Sequence, residues 1–313
     1  MADLFVSTLI QGLIYALVSF GVYITYSILD FPDLGVDGTF PLGAAVTALL
    51  LIKGVDPWLT LVISLLVGAL AGLFTGVVHV RLKVRDLLAG IITMTALFSV
   101  NLLIAGGANL PVERAVDTIF TAPSTMAVLG GLTLSGRKLV ISLVLAVLVK
   151  LVLDVYFKTK SGLLLRAVGD NVALVTSLAR DKGSVKILGL MISNALVALG
   201  GCLVCHETRS FSATMGTGQL VFGLAAVIIG VSLFRFYGAT GFAQALRRCR
   251  PLRFLGSPRD TTAVIVGSFL YKACIQIAMS LGLPTNMLKL VTAVLFLLVL
   301  VVSGRKGEEI IHA

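Results

Sequence analysis

The chain has 313 residues, 58% of them hydrophobic and 13% charged, with a mean hydropathy of +1.04 and a net charge of +10. A soluble domain carries about a quarter charged residues, so this composition excludes an ordinary soluble protein and indicates an all-α membrane protein, a polytopic helical bundle. The basic excess does not indicate nucleic-acid binding, because the lysines and arginines lie between apolar spans and no soluble domain is present to carry a basic groove.

A membrane helix needs about 20 mostly apolar residues. About nine spans (eight to ten) are expected, at 4–29, 40–52, 58–80, 87–106, 139–157, 187–205, 220–236, 262–281 and 288–302. The N-terminus has no basic n-region and its apolar run outlasts an h-region, so it reads as a first membrane helix and not as a cleavable signal. The short second span follows FPDLGVDGTFP, which puts Asp30, Asp33 and Asp37 among prolines and glycines. Proline and glycine break helices, and broken backbone at membrane depth survives only against protein or water. A broken or re-entrant element is expected here, with Asp37 and Thr39 its most buried polar pair. The rival reading is an interfacial loop with wet acids.

The third span carries Gly68, Gly72 and Gly76 at four-residue spacing, about one helical turn. That spacing makes a smooth face for another backbone, either a seam at the heart of a bundle or dimer or ordinary close packing. Span four carries Thr93, Thr95, Ser99 and Asn101, and span six carries Ser193 and Asn194. These groups suit a polar translocation path, with Asp37 and Thr39, or hydrogen bonds between helices. The loop 107–138 is rich in Gly, Pro and Thr and reads as an ordered cap. Lys150 and Asp154 are spaced for an i,i+4 pair. Cys202 and Cys205 form a CxxC on an apolar helix, where they read as small packed residues; with His206 alone nearby, no metal site is expected.

Between spans five and six lies a polar island, 158–186, longer than a connector needs to be. It is basic at both ends, and Val168, Val172, Val175 and Ala179 share one face of a short amphipathic helix, with Gly162 before it and Gly183 after it as stops. It suits docking of a soluble protein or lying on anionic lipid. With nine spans, the basic clusters at 81–85, in the island, at 235–259 and at 305–306 all fall on one side. That side holds 17 of 25 basic residues. The positive-inside rule then puts the N-terminus outside and the C-terminus in the cytoplasm. The chain lacks GxxxxGK[ST], HExxH and GxSxG motifs, so no catalytic residue and no ATP site is expected in it.

The run RAVGDN between glycines, the helix LGLMISNALVALGGCLV after it, GTGQLVFGLAAVIIG and the opening QGLIYALVSFGVYITYSILDFPDLGVDGTFPLGAAV together resemble permease subunits of bacterial ABC importers of the branched-chain amino acid and ribose type. LLAGIITMTALFSVNLLIAGGANLPV is closer still to the subgroup linked to tryptophan/tyrosine uptake. The resemblance covers nearly the whole chain as one transmembrane permease domain in the bacterial inner membrane. It implies a homodimer of permease chains, with Gly162, Arg166, Ala167, Gly169, Asp170, Asn171, Leu178 and Gly183 as the coupling element in a groove of an ABC ATPase subunit. It also implies ATP and Mg bound by that partner, no cofactor in this chain, and an extracytoplasmic binding protein that delivers a small solute, an amino acid that the tryptophan/tyrosine subgroup makes an aromatic one. Two features depart from the family pattern: the SLARDKG exit of the island, and a long basic loop at 235–260 suited to the ATPase, to lipid headgroups or to solvent. The alternative is an ion-coupled secondary transporter, which would need coupling-ion ligands at the midplane.

Overall fold

The computed structural model describes residues 2–170, 182–239, 260–280, 282, 287, 290–298 and 301. Ten α-helices make up most of it. They are α1 (Ala2–Val22), α2 (Val36–Ile52), α3 (Pro57–Val80), α4 (Asp86–Ala105), α5 (Pro123–Leu129), α6 (Leu134–Tyr156), α7 (Lys160–Asp170), α8 (Lys182–Thr208), α9 (Gln219–Ala239) and α10 (Asp260–Ser280). Two three-residue strands, β1 (Asn109–Pro111) and β2 (Ser210–Ser212), pair antiparallel with Leu110 opposite Phe211.

Against the nine spans expected from hydropathy, six helical stretches among the described residues are long and apolar enough to cross a membrane: Leu4–Ile28, Pro57–Val80, Asp86–Ala105, Leu134–Tyr156, Gly183–Thr208 and Asp260–Ser280. Val36–Ile52 and Gln219–Phe234 are shorter apolar helices. The expected ninth span, 288–302, is helical where it is described, at 290–298 and 301, while the loop 240–259 and the tail lie outside the described residues.

Helix α8 is the central post. It packs against α1, α2 and α3, while α1, α9 and α10 close a second side of the bundle. Close approach along α3 and α8 follows from the glycine row. A Cβ at Gly68 would sit 2.5 Å from the Asn194 carbonyl oxygen, one at Gly72 would overlap the Leu190 carbonyl, and one at Gly76 would lie 3.0 Å from the Ile187 Cα. The row therefore meets α8 of the same chain, and the two helices run antiparallel.

The two ends of the bundle differ. At one, the β1–β2 ribbon and α5 form a cap. Arg209, at φ +54°, donates to the carbonyls of Glu113, Arg114 and Val116 at 3.0, 3.3 and 2.7 Å. His206 ties the cap to the bundle: Nε2 lies 2.9 Å from Thr60 Oγ1, which donates to the Pro57 carbonyl, and Nδ1 accepts from the Ile119 N–H at 3.5 Å. Both nitrogens are thereby used by a ring protonated at Nε2. Cys202 and Cys205 are buried on the same helix. At the other end lie α7 and the basic turn 81–85, which His79 Nδ1 closes onto the Val84 carbonyl at 2.9 Å.

Candidate functional site

The chain between α1 and α2 does not run as plain helix. The last turns of α1 widen into a π-helix (Tyr23–Ile28), Asp30 takes φ +51°, and α2 starts at Val36. Pro41 sits inside α2 and has no N–H for the Asp37 carbonyl one turn back. Gly216 packs directly on that carbonyl and against the Pro41 ring. The irregular backbone is thus sheltered by protein, as membrane depth requires.

The first two turns of α2 gather most of the polar residues expected to line a path. Asn194 Nδ2 donates to Asp33 Oδ2 at 2.8 Å and to the Leu190 carbonyl at 3.1 Å, and Thr39 Oγ1 donates to Asn194 Oδ1 at 2.7 Å. Asp33 Oδ1 accepts the Gly35 N–H at 2.8 Å. Asn101 Nδ2 donates to the Gly38 carbonyl at 3.1 Å, and its buried Oδ1 finds no partner among the described residues. Thr75 donates to Thr93 at 2.9 Å, beside Gly35. Thr95 does not join them; it is exposed on α4 and, among the described residues, donates to the Ile91 carbonyl of its own helix. Among the described residues the most buried acid is Asp33, with no exposed surface, and not Asp37 as expected. The reason is the amide of Asn194, which reaches Asp33 from 161 residues away. Asp37 is half-buried and caps α9, accepting the Gly218 and Leu220 N–H groups at 2.9 Å each.

At the opposite end, the island forms a helix earlier than expected. Gly162 is the third residue of α7 and Gly183 the second of α8, so neither acts as a stop. Thr159 Oγ1 caps α7 by accepting the Gly162 N–H at 3.3 Å, and Gly162 is needed because a Cβ would overlap the Tyr156 carbonyl. Leu165 and Val168 are buried in the core and Ala167 packs beside them. Arg166 points outward, its guanidinium 5.0 Å from the Phe157 ring centre. Gly169 presses against the Ile28 carbonyl, the last residue of the π-turn, where a Cβ would overlap. Asp170 ends α7; Asn171, Leu178 and the SLARDKG exit up to Asp181 lie outside the described residues.

Two elements flank this end. Lys150 pairs with Asp154 at 3.0 Å as the i,i+4 spacing predicts, and Asp154 also accepts from Thr261 at 2.7 Å. Tyr23, in the π-turn, donates to Asp260 at 3.1 Å.

A second polar feature was missed in the sequence. Lys272 is the thirteenth of 21 residues of α10, and its Nζ lies 3.4 Å from the centre of the Tyr15 ring and 5.3 Å from that of Phe222. Tyr15 also stacks with Phe40, and Phe222 with Tyr271. A lysine at mid-membrane costs about 2.5–3.5 kcal/mol on insertion scales, and desolvated cation–π contacts return about 2 kcal/mol. One cation inside YKACIQIAMS was the available signal. Gln219, nine-tenths buried one turn before Phe222, donates to the Met215 carbonyl but leaves its Oε1 without a partner among the described residues.

Comparison with known proteins matches residues 4–300 to the family model described as branched-chain amino acid transport system / permease component. A tyrosine transport system permease protein of Clostridioides difficile is 38% identical over 292 residues, covering 93% of this chain and 88% of that protein. A probable branched-chain amino acid transport permease protein of Methanocaldococcus jannaschii is 27% identical, covering 71% of each chain. A ribose import permease protein of Haemophilus influenzae is 26% identical, covering 63% of this chain and 59% of that one. No solved structure matches the chain significantly.

Proposed function

The chain belongs to the permease family of the branched-chain amino acid transport system, and from that membership we propose that it is the membrane permease of an ATP-driven importer whose substrate is an amino acid with an aromatic side chain. The tyrosine permease relative supports the amino acid class. The work of ATP hydrolysis falls to a separate ABC ATPase, an extracytoplasmic binding protein delivers the solute, and two copies of this chain frame the path in the inner membrane.

The observation that carries the reading is the seating of α7. Its apolar side is locked into the core by Leu165 and Val168, while Arg166 faces outward. Its Gly169 bears directly on the π-turn of α1. A push on α7 is therefore delivered to the segment that leads to Asp33, Asn194 and the first turns of α2. In this proposal α7, with Gly162, Arg166, Ala167, Gly169 and Asp170, docks on the ATPase, and Thr39, Asn194, Thr93 and Asn101 are the hinge stitching that the path rearranges. The basic turn 81–85 shares the α7 end, which supports that end as cytoplasmic and the ribbon end as external. Differential contacts in two states must supply the coupling.

The test is uptake of radiolabelled L-tyrosine into proteoliposomes holding the permease, its ATPase and the binding protein. Uptake that requires ATP and the binding protein is expected. Uptake that persists without ATP and collapses with an ionophore would overturn the reading in favour of an ion-coupled carrier.

A further inference from the structure

We propose that Lys272, held by the rings of Tyr15 and Phe222, is the anchor for the carboxylate of the transported solute. The inference rests on the permease reading above and deepens it. Lys272 lies halfway along α10, and Tyr15 is fourteenth of the 27 residues from Ala2 to Ile28. The ammonium therefore lies well inside the length of both helices, and ionisable groups within membrane helices face the bundle interior or a wet cavity and mark substrate routes.

No salt bridge holds it among the described residues. Among the described residues the single ion pair is Lys150–Asp154. Glu207, at the ribbon end of α8, feels the charges of Lys138 and Lys272 but pairs with neither. Lys272 meets only aromatic faces, and its N–H donors have no acceptor among the described residues. The nearby N-terminus of α9 is not the anion site, because Asp37 already takes the Gly218 and Leu220 N–H groups. Among the described residues, Lys272 is a positive group inside a membrane-length helix that no acceptor occupies. Gln219, one turn from Phe222, keeps a buried Oε1 without a partner among the described residues. A cation without a salt-bridge partner among the described residues matches a solute that carries a carboxylate.

The experiment uses the assembled transporter in proteoliposomes and has two arms. In the first, Lys272→Gln is expected to cut ATP-driven L-tyrosine uptake about tenfold or more, the scale of one lost charge-assisted contact. Lys272→Arg should keep part of the uptake, and co-purification with the ATPase checks folding. In the second, the wild-type complex is treated with a membrane-permeant amine-reactive reagent and Lys272 modification is read by mass spectrometry. Protection by 3-(4-hydroxyphenyl)propionate, but not by tyramine, is expected. Wild-type uptake by Lys272→Gln, or equal protection by both compounds or by neither, would overturn the carboxylate anchor and leave the permease reading standing. Selective protection without any tyrosine uptake by the wild type would support the anchor and count against the importer reading.

Discussion

Replacing Asn194 by alanine tests whether the break between α1 and α2 is held by one long-range contact. The substitution removes the donor to Asp33 Oδ2 and the acceptor for Thr39. Thr39 loses little, because the Gly35 carbonyl stands 3.0 Å away as a second acceptor. Asp33 loses much, because only the Gly35 N–H remains on a fully buried carboxyl. A hydrogen bond to a charged group is worth about 1.5–3 kcal/mol, whereas side-chain bonds between membrane helices average about 0.6 kcal/mol. Stranding a buried charge would cost about 3–5 kcal/mol, but a carboxyl can take up a proton and limit that penalty. The expected loss for Asn194→Ala is about 2–3 kcal/mol, with a coupling near 2 kcal/mol in the cycle with Asp33→Ala. The assay is equilibrium unfolding in mixed dodecyl sulfate and maltoside micelles followed by far-UV circular dichroism. A coupling at or below about 0.6 kcal/mol would refute the reasoning and make the pair ordinary helix glue.

Other substitutions probe the remaining contacts. Gly72→Leu drives a side chain into the Leu190 and Met191 backbone, so it should cost more than the usual overpacking of about 1–3 kcal/mol and lower the yield of monodisperse protein in size-exclusion chromatography. Gly169→Val should insert into membranes yet fail to retain the ATPase on co-purification, with uptake reduced to background, because its side chain collides with Ile28. Arg209→Ala strips three cap carbonyls of their donor; hydrogen exchange should rise at 109–117 and 210–212, with a local cost of about 1–3 kcal/mol. Thr95→Ala should leave stability within about 0.5 kcal/mol in the same unfolding assay, because its hydroxyl is exposed.

What could be read from sequence was local. Gly68, Gly72 and Gly76 announce a smooth helix face by spacing alone, and Lys150–Asp154 announces its own pair. The partner of a face is not local: the seam falls on α8, more than a hundred residues on. The same limit explains the acids. Asp33 and Asp37 look alike in FPDLGVDG, and only the arrival of Asn194 at one and of the α9 N-terminus at the other separates a buried group from a cap. Gly162 and Gly183 read as helix stops because glycine often ends helices, but Gly162 is fixed by a neighbour's carbonyl, which no pattern within the island contains. Lys272 was missed, although its isolation in an apolar run was a local signal. Its aromatic partners on α1 and α9 were not legible.

The pairing of Asp33 with Asn194 also sets a timetable for biosynthesis. The two residues are 161 positions apart, so at roughly 5–20 residues per second a nascent chain waits about 8–30 s between making the acid and making its partner. During that interval the start of α2 has no amide to meet its carboxyl. Until then the acid must stay wet or take up a proton, and a chain cut short before α8 would keep it unmatched.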